Sequence, residues 1–392
     1  MNAIAKTDKY YMPVFGRYQI VLENGKGSCV YDQNGKEYLD CLAGIAVNAL
    51  GYAHPVMLEA LSKQAAKLIH TSNLFYSQVQ ADLVEKVCTI SGFDKVFLAN
   101  SGAEANEGAI KLARKYGNII KAGKNKVITA MHSFHGRTMT TLVATGQPKY
   151  HQGFDPLPTG FGYVDYGNIE QLEQMMDDDV CAVMLEVVQG EGGVHVAPKE
   201  YFEKVRALCD KHNALLIFDE IQTGVGRTGE WFAYQTVGIK PDIMTLAKAL
   251  GCGYPIGAFL ADDKVANAFK PGDHGSTFGG NQLGCAVALA VLNYMQQEDM
   301  PKQAAEKGAY LMGKLQELQA KYPQAIVEVR GKGLIVGMQL TFEGKEIVNK
   351  CMEQGLIINC TAGNVIRLVP PLIITKAEID QVVATLDKCL QA

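Results

Sequence analysis

Ala214-Leu-Leu-Ile-Phe-Asp219-Glu220 is an apolar run that ends in two carboxylates. A strand that is apolar on both faces belongs inside a sheet covered on both sides, the usual situation of parallel sheets. The same pattern recurs on either side of it in Lys95-Val-Phe-Leu-Ala, Lys126-Val-Ile-Thr-Ala, Cys181-Ala-Val-Met-Leu-Glu, Ile243-Met-Thr-Leu and Ile256-Gly-Ala-Phe-Leu. Helical stretches such as Glu200-Tyr-Phe-Glu-Lys-Val-Arg-Ala-Leu separate these runs. Alternation of this kind predicts a large α/β domain with a mainly parallel sheet, assigned to residues 55–300. Residues 1–54 read as short strands and turns, with Glu23-Asn-Gly-Lys-Gly and Asp32-Gln-Asn-Gly-Lys as punctuation. In residues 301–392 the pattern changes to a helix near 303–321, a hairpin-like stretch from Ile326 to Gly337, a further helix and strand, and a closing helix from Lys376. This predicts a smaller α+β domain against which the N-terminal segment packs.

At 392 residues the chain can bury a large core, which argues against a small binding module. A net charge of -4 offers no basic field for nucleic acid, so small-molecule chemistry is the better expectation. The ten cysteines include no C-x-x-C pair and sit mostly in apolar runs, which fits reduced thiols better than disulfides or zinc. The start lacks an apolar signal core and no stretch is long and apolar enough to span a membrane, so a cytoplasmic enzyme is expected.

Three segments carry candidate chemistry. In Lys95-Val-Phe-Leu-Ala-Asn-Ser101-Gly102-Ala103-Glu104 a strand turns into a helix with capping-box spacing between Ser101 and Glu104. Plain capping accounts for this spacing; equally, Ser101, Gly102 and Ala103 can offer free N–H groups to a phosphate at the positive end of the helix dipole. Asp219 and Glu220 stand at a strand end, where open α/β sheets place ligands. Such an acid either caps a neighbouring helix or holds a protonated ring nitrogen. Lys248 closes another apolar run, and a strand-end acid, a strand-end lysine and an anion-binding helix start are the parts that pyridoxal phosphate requires. Gly224-Val-Gly-Arg-Thr-Gly229 matches G-x-G-x-x-G but is not in the first strand-to-helix turn, and Asp242 precedes an apolar run rather than ending one. It reads as a decoy. His132 and His135 lack further ligands at metal spacing, so no metal is assigned. Trp231 and the Tyr10-Tyr11 pair read as packing residues.

Together, Ser101-Gly-Ala-Glu-Ala-Asn-Glu, Phe134-His-Gly-Arg137-Thr, Gln189-Gly-Glu191-Gly-Gly, Asp219-Glu-Ile-Gln222-Thr-Gly, Leu246-Ala-Lys248 and Ser276-Thr277-Phe-Gly-Gly-Asn resemble the class III aminotransferases. Leu42-Ala-Gly-Ile-Ala-Val-Asn-Ala-Leu-Gly and Gly146-Gln-Pro-Lys-Tyr are most similar to the branch of that family that uses acetylornithine, so the likeness covers nearly the whole chain. Two departures are Val187, where relatives usually have proline after Glu186, and Cys252 in the turn after the lysine.

The resemblance implies the fold-type I, aspartate aminotransferase-like architecture and a homodimer with shared active sites. It implies that Lys248 tethers pyridoxal 5'-phosphate, Asp219 pairs with the ring nitrogen, Gln222 approaches the ring hydroxyl and Phe134 stacks on the ring. Gly102 and Ala103 would bind phosphate from one subunit and Thr277 from the other. Arg137 would grip a substrate carboxylate, Ser276 would reach the acetylated substrate across the interface, and Tyr18 would border it. Arg367 would bind the α-carboxylate of glutamate and Glu191 would mask it. The implied reaction moves the terminal amine of N2-acetyl-L-ornithine to 2-oxoglutarate with ping-pong kinetics, in arginine synthesis, with ornithine or succinyl-diaminopimelate as side substrates. A 4-aminobutyrate or other ω-amino-acid aminotransferase shares the cofactor motifs and is the alternative. A non-catalytic regulator on the same fold is the reading from another class, and the retained Lys248 and Asp219 speak against it.

Overall fold

In the computed structural model, which describes residues 2–120 and 123–391, the apolar runs lie side by side in a seven-stranded sheet. Across the sheet the order is Lys95–Ala99, Gly257–Ala261, Ile243–Leu246, Leu215–Asp219, Val180–Leu185, Lys126–Ala130 and Phe161–Val164. The Gly257–Ala261 strand runs antiparallel to its two neighbours, and the other pairings are parallel. Every residue of the Val180–Leu185, Leu215–Asp219, Ile243–Leu246 and Gly257–Ala261 strands is buried, which is why these segments read as unbroken apolar runs. Phe161–Val164 was not anticipated. It is an edge strand with three half-buried residues and a glycine, so it lacks the continuous apolar signature of its neighbours.

Helices cover both faces of the sheet, and the alternation of side chains along a strand divides the core between them. Leu215 and Ile217 pack with Ala109, Ile110, Leu112 and Ala113 of the Gly102–Ile120 helix. Leu216 and Phe218 pack on the other face with Phe202, Val205 and Cys209 of the Lys199–His212 helix. The Phe202 and Phe218 rings meet edge to face, 5.6 Å apart, one residue before Asp219. The strand that delivers the acid is therefore clamped from both sides.

Two smaller sheets flank this layer. Leu22–Lys26, Cys29–Asp32 and Glu37–Asp40 form an antiparallel meander, and the short Leu356–Ile357 strand joins it parallel to Glu37–Asp40. Ile326–Lys332 and Ile335–Leu340 make the expected hairpin, extended by Val365–Leu368 and Asn359–Thr361. The Met300–Lys321, Lys345–Glu353 and Lys376–Gln391 helices accompany these strands, the first with Pro301 in its opening turn, where a missing N–H costs nothing. The G-x-G-x-x-G segment has a packing role. A side chain on Gly229 would come within 2.9 Å of Ala305, and the buried Arg227 donates to the carbonyls of Leu334 and Pro370 at 3.0 and 2.5 Å. Asp242 accepts from Arg206 and from the Leu216 N–H, both at 2.7 Å. Trp231 is partly buried against the core, but Tyr10 and Tyr11 are exposed, the Tyr11 ring meeting Phe15 and Arg17 of the same N-terminal segment.

Because Phe202 is fully buried against the strand that ends in Asp219, Phe202→Ala should destabilise the protein by about 3–5 kcal/mol, with Phe202→Leu losing less. Thermal melts of the two variants check this; equal midpoints for Phe202→Ala and the parent would show that the aromatic contact contributes nothing.

Candidate active site

At the C-terminal ends of the parallel strands lies a cavity of about 370 Å³, within the range of small-molecule sites. Asp219, Glu186 and Lys248 reach it from the ends of three neighbouring strands. Ser101, Gly102, Ala103, Phe134, Arg137, Glu191 and Gln222 complete the part of the wall anticipated from sequence.

The two acids of the Asp219-Glu220 pair take different tasks. Glu220 accepts from the N–H groups of Ala233 and Tyr234 and caps the Ala233–Val237 helix. Asp219 faces the cavity. Its Oδ1 accepts from the Ile221 N–H at 3.0 Å, and its Oδ2 accepts from Asn106 Nδ2 at 2.8 Å and lies 2.7 Å from His135 Nδ1. With a carboxylate oxygen opposite, Nδ1 is the donor in this contact, and no partner reaches the buried Nε2 among the described residues. From sequence, Asn106 is given no role and His135 is weighed as a metal ligand.

The helix start is capped as its spacing suggests, and the capping keeps its other N–H groups open. Ser101 Oγ accepts from the Glu104 N–H at 3.2 Å, while Glu104 reaches back to the N–H of Asn100 at 2.8 Å. This capping leaves the N–H groups of Ser101, Gly102 and Ala103 without a protein acceptor among the described residues, at the cavity wall and at the positive end of the Gly102–Ile120 helix. Gly102 is required for a packing reason as well, since a Cβ there would come within 2.8 Å of Ile221.

Lys248 has φ +44, a left-handed conformation that a lysine adopts at a cost, and it follows Ala247 in an irregular backbone state. Among the described residues no hydrogen bond or ion pair reaches its ammonium. Burial, followed by Arg367, lowers its pKa from 10.5 against the opposing pull of Glu191, Asp219 and Glu186. Burial, then the nearby Asp219, pushes Glu186 well above the usual carboxylate range, although one of its oxygens accepts from the Phe134 N–H at 3.3 Å. Glu186 thus faces the cavity with its charged form disfavoured.

Behind the wall, the fully buried Arg367 donates to Glu191 at 2.6 Å, to Gln222 at 3.4 Å and to Asn359 at 3.3 Å. Glu191 lines the cavity and Arg367 does not, so the acid stands between the guanidinium and the open space. Burial raises the Glu191 pKa, but Arg367 and Lys248 outweigh it and hold the carboxyl below its ordinary value. Gly190 is obligatory here, because a Cβ on it would fall 1.7 Å from the Gln222 amide oxygen.

Besides Arg367, three anticipated residues lie outside the cavity wall. Ser276 is next to it, accepting from Asn100 Nδ2 at 3.0 Å. Thr277 and Tyr18 are exposed. The two departures from the family pattern are both buried: Val187 packs beneath the sheet end, and Cys252 accepts from the Leu50 N–H at 3.1 Å.

Residues 11–390 match the family model described as aminotransferase class-III. The chain is a class III aminotransferase. It is 53% identical to the acetylornithine aminotransferase of Caldanaerobacter subterraneus subsp. tengcongensis, over 97% of each chain. It is 50% identical to that of Methanocaldococcus jannaschii, over 99% of this chain and 97% of the other. Among solved structures, the ornithine aminotransferase of Toxoplasma gondii superposes with a TM-score of 0.95 at 36% identity, covering 99% of this chain and 94% of that one. The acetylornithine aminotransferase of Elizabethkingia anophelis does so with a TM-score of 0.88 at 36% identity, covering 99% and 98%. The architecture is the fold-type I arrangement that the sequence resemblance implied.

The cofactor of this aminotransferase is pyridoxal phosphate, and the cavity fits it on its own chemistry. Three open N–H groups suit a phosphate, a carboxylate held by three donors suits a protonated ring nitrogen, and an unpaired lysine of lowered pKa suits an aldehyde. In cofactor-free protein, the rate at which Lys248 captures added pyridoxal phosphate should rise with pH and reach half its plateau below 10.5, since the neutral amine is the nucleophile. Stopped-flow absorbance measures this; a half-point at or above 10.5 would show that burial does not govern this lysine.

Proposed function

We propose that the chain transfers the terminal amine of N2-acetyl-L-ornithine to 2-oxoglutarate, giving N-acetyl-L-glutamate 5-semialdehyde and L-glutamate. The observation that carries this reading is the buried Arg367–Glu191 pair beside the Lys248 cavity. Glutamate brings an α-carboxylate to the reacting carbon, whereas acetylornithine brings an uncharged CH2 there. A buried guanidinium with no partner beside that CH2 would be costly, so a carboxylate that covers it for one substrate and yields for the other resolves the conflict. The similarity to acetylornithine aminotransferases supports the same donor.

When bound, pyridoxal phosphate supplies an aldehyde that captures amines and a protonated ring that accepts the electron pair left on carbon. The residues do the rest. The N–H groups of Ser101, Gly102 and Ala103 take the phosphate, Phe134 covers the ring face and Gln222 approaches the ring hydroxyl. Asp219, fixed by Asn106, His135 and the Ile221 N–H, keeps the ring-nitrogen proton in place. Lys248 would hold the cofactor through Nζ, and as a neutral amine the same Nζ would take the proton from the amine-bearing carbon of the substrate. Arg137 holds the far carboxylate of acetylornithine.

The active unit in this proposal is a homodimer in which Ser276 and Thr277 complete the partner's site and Tyr18 borders the substrate. Supporting it, Asn73 donates to the carbonyls of Ser276 and Gly279 at 3.3 and 2.9 Å, which ties the segment with the exposed Leu74, Phe75 and Tyr76 to the one with the exposed Phe278. An apolar patch of this kind suits a subunit contact. The division into residues 1–54, 55–300 and 301–392 and a cytoplasmic location belong to the same reading. All ten cysteines are free, and no helix among the described residues is long and apolar enough to cross a membrane.

Single-turnover rates for each donor test the gate. Glu191→Gln should speed the glutamate half-reaction relative to that of N-acetylornithine, because the competitor for Arg367 loses its charge. Arg367→Ala should do the opposite and cost glutamate about tenfold or more, the worth of a charge-assisted hydrogen bond. Equal slowing of both donors in both variants would make the pair structural. Faster turnover of 4-aminobutyrate than of N-acetylornithine would instead favour an ω-amino-acid aminotransferase.

A further inference from the structure

We propose that Tyr150 is a positioning residue that holds Arg137 by its aromatic face, and so sets how tightly the site grips the far carboxylate of its amine donor. This rests on the reading of Arg137 as the carboxylate-binding group.

The Arg137 guanidinium lies 3.8 Å from the centroid of the Tyr150 ring and 5.5 Å from that of Phe134. The two rings stand almost perpendicular, at 87°, with centroids 6.4 Å apart, so they form a corner around the cation. No hydrogen bond or ion pair to the Arg137 side chain occurs among the described residues. A guanidinium stacked on a ring keeps its N–H donors in its own plane, pointing away from the ring and free for a ligand. A carboxylate holding the same arginine would consume those donors and compete with substrate. An aromatic face restrains the side chain without competing, and an exposed arginine with several rotatable bonds gains from that restraint when it binds.

Tyr150 is fixed for such a task. It ends the short Pro148–Tyr150 turn, which is pinned on both sides to the segment that carries Phe134 and Arg137. Gln147 donates to the Ser133 carbonyl at 2.8 Å, and the Gly146 N–H donates to Ser133 Oγ at 3.0 Å. His151 Nε2 donates to the carbonyls of Leu142 and Thr145 at 3.0 and 2.9 Å. The Tyr150 hydroxyl has no hydrogen bond among the described residues, which leaves the ring as its working part. Arg137 lines the cavity and Tyr150 does not, so the tyrosine acts through the arginine. Lys149, 4.9 Å from the same ring, adds a second positive charge close by.

Steady-state kinetics of the holoenzyme with N-acetylornithine test this. Tyr150→Leu should raise KM roughly 2- to 30-fold, the range expected for losing one cation–π contact, with kcat and cofactor absorbance retained. Tyr150→Phe should restore the KM lost in Tyr150→Leu. The double variant with Arg137→Gln should show no rise beyond Arg137→Gln alone, because Tyr150 works only through Arg137. If Tyr150→Leu does not fold, Tyr150→Gln makes the same comparison. The proposal is overturned if removing the ring leaves KM unchanged while Arg137→Gln raises it. It is also overturned if Tyr150→Phe and Tyr150→Leu are equally impaired, or if kcat and cofactor content fall at constant KM. If Arg137→Gln itself leaves KM unchanged, the carboxylate reading of Arg137 fails first.

Discussion

A sheet buried on both faces has room for charge only at the ends of its strands, and this constraint organises the molecule. Glu186, Asp219 and Lys248 follow or end three adjacent strands whose every residue is buried. Parallel pairing brings those ends to one edge: Phe218 stands opposite Leu185, and Asp219 opposite Thr245. The helices that cover the sheet then supply the rest. Asn106, on the Gly102–Ile120 helix, holds Asp219, and the open N–H groups at the start of the same helix face the cavity.

Charge in the site is balanced in pairs rather than group by group. Asp219 has a histidine and an asparagine as donors, and Glu191 has Arg367. Glu186, next to Asp219 and with no ion pair among the described residues, has its pKa raised by burial and by that neighbouring carboxylate. Among the described residues neither Lys248 nor Arg137 has an anionic partner, Arg137 being held only by aromatic faces, and both line the cavity. An unpaired cation in a half-enclosed site is unfavourable until an anion or an electrophile arrives, which is the condition under which binding gains most from them.

Much of this was legible in the sequence, and the limits of legibility are physical. Fully buried strands announce themselves by composition, so six of the seven strands of the large sheet could be read directly, while the half-exposed Phe161–Val164 edge could not. Asp219 and Glu220 were seen as a pair with two possible tasks. Glu220 takes the capping task while Asp219 faces the cavity, and only the direction of each side chain separates them. The partners of Asp219 lie 113 and 84 residues away in the chain, inside two quoted motifs whose local spacing says nothing of a contact with Asp219. Tyr10 and Tyr11 failed as packing residues because an aromatic pair reads the same whether it covers a core or stays exposed.

How the proposed gate moves can be narrowed from its surroundings. The Glu191 carbonyl accepts from the Thr361 hydroxyl, so the backbone of the acid is tied to the Asn359–Thr361 strand, which pairs directly with the strand carrying Arg367. Gly190 is pressed against Gln222, and Arg330 donates to the Gly193 carbonyl at 2.6 Å, so the loop is held on both sides of Glu191. Opening the whole loop would break all of these contacts along with the ion pair. Rotating the Glu191 side chain breaks the ion pair and its weaker 3.3 Å contact with Gln222, and moves the carboxylate towards the cavity it already lines. Arg367 keeps Asn359 and Gln222 throughout, so it stays aimed while its anion is exchanged. A switch confined to one side chain needs no rearrangement of the fold between the two halves of the reaction, which suits an enzyme that must alternate between a charged and an uncharged substrate in every cycle.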